Sequence, residues 1–301
     1  MKSISLIVLY FFLFLSFKIN AEDFRIIYSS SLTGNLYSCV CGLKLSVGLG
    51  KRATFFRQKG ISHEKDILVD TGNSLDVKSS PDKAKAIFES FQFLGYHSIG
   101  IGQNDLQENS LSILEANIYL TQSANLLKKG FFSSSKLGKS VTYLKRKTKT
   151  FGIINLTSPS VFYNLSKEMK SKLLLKDLES TVIEITSLEI DFLVDNWIIL
   201  LHGSQDEALK IASLNKNFIV IFGGEPLIKS SFNRSGYLEV NGVKIYSTGD
   251  LLGDKIGILI LKESETGLIF KSTEIIEMNV NKLTDSDEIL DIMKKYNLKP
   301  E

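Results

Sequence analysis

The sequence predicts an α/β protein in which short buried strands alternate with amphipathic helices. Three observations carry that prediction. Short apolar runs recur along the first two thirds of the chain with helix-period segments between them. After residue 235 the texture changes to apolar stretches separated by turn residues, which reads as antiparallel strands. Only 4 Pro, no Ser/Gly-rich linker, no low-complexity tract and no internal repeat interrupt the 301 residues, so one large domain is expected.

The elements follow in order. Lys2 precedes an apolar, charge-free run from Ile4 to Phe17, which is the length of a signal-peptide core and short for a bilayer span. Ala21, with Ile19 two positions before it, provides a cleavage site, so residues 1–21 are expected to be removed and the protein exported, periplasmic or secreted. Membrane attachment is expected only through this segment, if it stays uncleaved. Strands are expected at Phe24–Tyr28, Asp66–Val69, His97–Gly100, Thr150–Asn155, Trp197–Leu201 and Phe218–Phe222. Helices are expected at Gly50–Lys59, Pro81–Leu94 and Gln205–Leu214, the last capped by Ser204. Tyr237–Val240, Val243–Thr248, Lys255–Lys262 and Leu268–Glu277 then read as a meander, with turns at Asn241-Gly242 and Glu265-Thr266-Gly267. A short helical tail, Ser286–Tyr296, lies within the last segment, 281–301.

Removal of Lys2 and Lys18 with the leader lowers the basic count from 36 to 34 against 33 acids. A near-neutral mature chain gives no electrostatic reason to expect nucleic acid as a partner. The two cysteines, Cys39 and Cys41, are separated by one residue. They can close a small strained ring in an oxidising compartment, or remain two thiols, but they do not make a zinc site.

Chemistry in a parallel α/β sheet sits at the carboxyl ends of the strands. Those junctions are Ser29–Asn35, Asp70–Ser74, Gly102–Leu106, His202–Ser204 and Gly223–Pro226, each built from glycine and small polar residues. Two local motifs are set aside. Asp70-Thr71-Gly72 matches the aspartic-protease triplet, but no second triplet exists to share a proton with it. Gly48-Leu49-Gly50-Lys51 lacks the spacing of a phosphate loop.

The same junctions resemble the 5′-nucleotidase and calcineurin-like phosphoesterase family. Ile26-Ile27-Tyr28-Ser29-Ser30-Ser31-Leu32-Thr33-Gly34 resembles the family's opening Asn-Asp-Leu-His-Gly, with Ser31 and Thr33 at its Asp and His ligands. The cysteine pair followed by Gly48–Thr54 is similar to an exported subgroup with Cys-x-Cys before a Gly-Leu-x-Arg-Ala-Thr helix. Asp70-Thr71-Gly72-Asn73 resembles Asp-x-Gly-Asp, with Asn73 at the metal-bridging position. Gly102-Gln103-Asn104-Asp105 resembles Gly-Asn-His-Glu, with Gln103 at a ligand and Asn104 at the phosphate-side His. Ser123-Ala124-Asn125 and Phe151–Pro159 resemble later family segments, as does Tyr246–Ile260. His202 falls at a ligand His, and Glu225 and Leu227 at two more.

The resemblance covers about residues 24–278. It implies the four-layer α/β/β/α metallophosphoesterase sandwich over residues 22–280, without the family's C-terminal substrate-binding domain. In that family two divalent ions hold a hydroxide that attacks phosphorus, which needs carboxylate and imidazole ligands. Here Ser31 and Thr33 are neutral, Asn73 and Gln103 offer uncharged amides, and Leu227 offers nothing. The implied expectation is a non-catalytic relative with no cofactor that binds a small molecule or a protein at the old cleft. The alternative is a divergent phosphohydrolase holding one ion (Mn, Zn, Mg or Ca) with His202, Glu225 and Asp105. His63 and His97 lie away from the matched positions and read as surface residues.

Overall fold

The computed structural model describes residues 23–41, 44–107, 110–130, 133–188, 194–224, 236–249, 253–264 and 267–299. The leader reading over residues 1–21 lies outside them.

Two six-stranded mixed sheets form the body. The first runs Gly267–Glu277, Lys255–Ser264, Asp23–Ser29, Ile67–Asp70, Ser98–Gly100, Thr121–Gln122. The second runs Tyr237–Val240, Val243–Tyr246, Ile219–Gly224, Asn196–Gly203, Lys149–Thr157, Thr142–Arg146. Four neighbouring strands in each sheet are parallel, and antiparallel strands flank them.

Period-two alternation of wholly apolar strands creates the layers. Ile26, Tyr28, Ile67 and Val69 point between the sheets, where they meet Phe151, Ile153, Ile198, Leu200 and Ile221. The alternate residues Ile27 and Leu68 face outward, under the helices Leu49–Gln58, Pro81–Phe93 and Asp287–Lys295, with Phe55, Phe56, Phe88, Phe91 and Ile289 in that core. On the far side Ile154, Ile199, Leu201 and Val220 pack beneath Val182 of helix Leu178–Leu188 and Ala208 and Ile211 of helix Gln205–Leu214. Both faces of both sheets are therefore covered, which gives four layers.

Local chemistry fixes the helix starts. Ser80 caps Pro81–Phe93 by accepting from the Lys83 N–H, with Pro at the first helical position. Ser204 and Glu207 form a full capping box on Gln205–Leu214. The tail helix has Asp287 and Glu288 in its first turn and Lys294 and Lys295 in its last, matched to the helix dipole. Its Ile289 and Met293 are buried in the same core as Phe55 and Phe88, so the tail is part of the main body.

Two expectations are corrected. The residues after 235 do not form one meander. The hairpin Tyr237–Val240 and Val243–Tyr246 joins the second sheet, where Val220 pairs in parallel with Ile245, while the hairpin from Lys255 to Glu277 joins the first. Two faces needed edge strands, and local texture does not say which sheet each hairpin completes. His97 is not a free surface residue: it is half-buried, its Nδ1 accepts from the Leu68 N–H at 3.0 Å, and its Nε2 faces Arg146 at 2.5 Å. His63 is exposed, as expected.

Candidate functional site

The parallel registers bring the strand ends level, with Ser29 opposite Asp70 and His202 opposite Gly223. The loops that follow are then stitched by their own backbones. Ser31 N–H donates to Gly72 O at 2.9 Å, Thr33 N–H to Asn73 O at 2.8 Å, and Gly34 N–H to Ser74 O at 2.9 Å. The two sheets also meet here: a side chain at Gly223 would strike the hydroxyls of Ser30 and Thr71, both at 2.4 Å. The described residues of the five junctions singled out in the sequence, which in the last of them are Gly223 and Gly224, lie in one cluster.

Beneath the cluster lies a buried polar network. Ser29 Oγ donates to Asp70 Oδ2 at 2.5 Å and meets the Tyr96 hydroxyl at 3.0 Å. The Arg52 guanidinium donates to Ser29 Oγ at 3.2 Å, to the Tyr96 hydroxyl at 3.0 Å and to Gly253 O at 2.9 Å. Arg52 and Asp70 are both fully buried. Burial pushes the Asp70 carboxyl up, and the charge of Arg52 opposes it. Sequence reading missed Arg52 and Tyr96 as members. The signal for Arg52 was its spacing, since Leu49, Arg52, Ala53 and Phe56 share one helix face and that face is buried.

Asp105 clamps two loops together. Its Oδ2 accepts from Asn73 N–H and Gly102 N–H, and its Oδ1 from Leu75 N–H, all at 2.8 Å. Burial pushes its carboxyl up to about 7 against the pull of these three donors. The Asn73 side-chain oxygen is engaged as well, accepting from Asn104 N–H at 2.9 Å.

Three non-glycine residues of the cluster hold left-handed backbone: Ser31 at φ 55°, Thr33 at 50° and Asn73 at 58°. This conformation costs an ordinary side chain about 1 kcal/mol or more each. All three stand at positions that the resemblance matches to metal ligands.

His202 is nearly fully buried. Its Nδ1 lies 3.2 Å from Thr71 O, and because a carbonyl only accepts, Nδ1 carries the proton. Burial pulls the ring down to about 4, so the imidazole is neutral at pH 7, with its lone pair on Nε2. Glycine is required on both sides of it. A Cβ at Gly224 would meet the ring at 2.4 Å, and one at Gly102 would meet both the ring, at 2.6 Å, and Asn73 Oδ1, at 2.4 Å.

These residues do not suit a two-metal centre. Among the described residues no group of three His, Cys, Asp or Glu side chains converges on a point where an ion could sit. Ser31 and Thr33 bring no charge, Asn73 Oδ1 is occupied, and the Asp105 carboxylate already serves three N–H groups. Asp105, expected in a ligand trio with His202 and Glu225, is thus engaged by backbone N–H groups of the protein itself. Among the described residues at the matched positions, His202 retains a donor fit for a metal. Gln103 is half-buried and bonded within the protein. Asn104 takes part through its backbone N–H. Glu225 and Leu227 lie outside the described residues. Cys39–Cys41 forms a strand antiparallel to Lys44–Ser46, with Cys39 opposite Ser46 and Cys41 opposite Lys44. The side chains of both cysteines lie outside the described residues, so ring and thiol pair both stand.

No protein-family model matches the sequence, and no curated protein matches it. Solved structures do. The chain is similar to a 5′-nucleotidase precursor from Thermus thermophilus, with TM-score 0.71 at 15% identity over 91% of this chain and 58% of that one. It is similar to the calcineurin-like phosphoesterase YfkN from Bacillus subtilis, with TM-score 0.71 at 14% identity over 92% of this chain and 97% of that one. The NAD nucleotidase NadN of Haemophilus influenzae aligns with TM-score 0.67 at 14% identity, over 92% of this chain and 56% of that one. The chain therefore spans under two thirds of both nucleotidases. At these identities the likeness concerns the fold, and the fold is that of the metallophosphoesterases: two mixed sheets packed together and flanked by helices.

Proposed function

We propose that this chain is a non-catalytic, exported relative of the metallophosphoesterases that uses the loop cluster at its strand ends to bind a small molecule or a partner protein. One observation carries the reading. Two polar groups at the centre of the old site are spent on the protein itself: Asn73 Oδ1, at the metal-bridging position, serves the Asn104 N–H, and the neighbouring Asp105 carboxylate serves three backbone N–H groups. Loops that metal ions would tie together in a two-metal site are tied here by hydrogen bonds. Ser30, Ser31 and His202 are buried within the cluster, and the half-buried polar side chains at its rim, Thr33, Asn35, Gln103 and Asn104, are neutral and suit an uncharged polar ligand better than a phosphate. Export rests on the apolar run Ile4–Phe17 and the cleavage site at Ala21.

Metal content of the purified chain, together with hydrolysis of nucleotides and p-nitrophenyl phosphate with and without manganese, tests the reading. The expected result is substoichiometric metal and no turnover above buffer. Two tightly held ions, with turnover abolished in His202→Ala, would replace it with the divergent phosphohydrolase.

A further inference from the structure

We propose that the polar cavity at the end of the sandwich opposite the loop cluster is a binding site for a small planar aromatic carboxylate. The cavity measures about 260 Å³ and opens between the two sheets at the amino ends of Asn196–Gly203 and Ile219–Gly224. Drug-sized sites begin near roughly 300 Å³, so this one takes a ligand of one or two fused rings.

Its walls give the ligand its chemistry. Tyr246 from one sheet and Phe270 from the other lie with ring centroids 6.3 Å apart and planes 27° from parallel, and both line the cavity. Leu261 and Leu268 extend the apolar wall. Tyr246 is almost fully buried in the cavity wall, and its hydroxyl makes no hydrogen bond among the described residues, so it is free to pair with a group entering the cavity. A ligand ring packed against the edge of Phe270, whose face carries Lys244, would gain aromatic contact, and an acceptor on it would pair with that hydroxyl.

The sign of the charge follows from what is already paired. Asp195 is the cavity's carboxylate. It accepts from Thr150 N–H at 2.7 Å and lies 3.5 Å from Lys149, so its charge is engaged. Lys244 sits over the Phe270 ring at 5.2 Å and pairs with Glu239 at 3.2 Å. Lys216 lines the cavity, is exposed, and has no acidic partner among the described residues. An incoming group therefore meets an uncompensated ammonium beside an aromatic wall. A carboxylate on a flat ring satisfies both at once.

Calorimetric titration of the whole chain with 2-naphthoate tests this, with tryptamine as a ring of opposite charge. The expected result is saturable one-site binding of 2-naphthoate and none of tryptamine. Phe270→Ala should weaken binding about tenfold. Since that change also touches packing between the sheets, Lys216→Glu, on the surface, provides the second arm, with an expected loss of about tenfold or more. No binding of 2-naphthoate to the wild type, equal affinity in Lys216→Glu, or equal binding of tryptamine would each overturn the assignment.

Discussion

The carboxylate of Asp105 holds the backbone N–H of Asn73 at 2.8 Å, and so ties the loop after Ile67–Asp70 to the loop after Ser98–Gly100. Asn73 returns a bond through its side chain to the N–H of Asn104. The two loops are therefore crosslinked in both directions by groups that need no ion. A site held this way is stable on its own terms, and its stability depends on the protonation of a buried carboxyl.

That dependence gives a signed pH prediction. Asp105 is raised from its ordinary value of 3.8 to about 7 in the native state. Between pH 4 and 7 the native protein therefore binds a proton that the unfolded chain does not, so this group's contribution is full below about pH 4 and is lost as pH rises through about 7. The total is at most about 4 kcal/mol. Asp105→Asn should remove this downward component, seen as the difference between urea midpoints of variant and wild type across that range. It should also destabilise the protein at pH 7 by about 1–3 kcal/mol, because its NH₂ group faces backbone donors. A difference curve that is flat in pH would show that Asp105 stays ionised throughout.

His202 acts in the opposite direction. Its native value is pulled from 6.5 to about 4, so between these limits the unfolded chain binds the extra proton, and stability falls as pH falls toward 4. His97 is lowered to about 4 as well, by burial first and then by Arg146, and adds to the same acid-side loss. Replacing His202 with Gln, which retains an N–H for Thr71 O, should flatten part of the acid limb of a thermal-melt series between pH 4 and 6.5. An unchanged limb would assign that loss to other groups.

The sequence made the layered fold legible because the strands are buried on both faces, and runs such as Ile67–Val69 and Ile198–Leu201 have few other uses. The five strand-end junctions were legible for a related reason, since glycine and small polar residues cluster where backbones must approach. Short edge elements were not: Thr121–Gln122 and Leu126–Lys129 are held by neighbouring strands and carry little pattern of their own. The site was legible as a list of positions, yet the employment of Asp105 was hidden. Its partners are backbone N–H groups, and a sequence shows no backbone geometry.

The network under the cluster is expected to behave as a unit. Arg52→Met leaves Asp70 buried without a countercharge, and Asp70→Asn leaves Arg52 in the same state. Each should cost about 3–5 kcal/mol in chemical denaturation. The two groups communicate through Ser29, so the double variant should lose less than the sum, with a coupling of about 1–3 kcal/mol. Strict additivity would mean that Arg52 acts mainly through Tyr96 and Gly253.

Gly224→Ala tests whether the sheets meet at His202 as tightly as the geometry requires. Gly224 has φ +100°, a conformation that side chains rarely adopt, and its added methyl would lie 2.4 Å from both Cε1 and Nε2 of the His202 ring. The ring has little room to retreat, because Gly102 packs on Cε1 and Thr71 O holds Nδ1. Backbone strain of about 1–2 kcal/mol and overpacking of about 1–3 kcal/mol should therefore combine. The same methyl at Gly242, which is also left-handed at φ +79° but has nothing within 4 Å, carries the strain without the clash. Comparing the two variants by urea denaturation isolates the contact with His202, and Gly224→Ala should be the less stable by about 1–3 kcal/mol. Combining Gly224→Ala with His202→Ala should recover most of that difference, since the ring is what the methyl strikes.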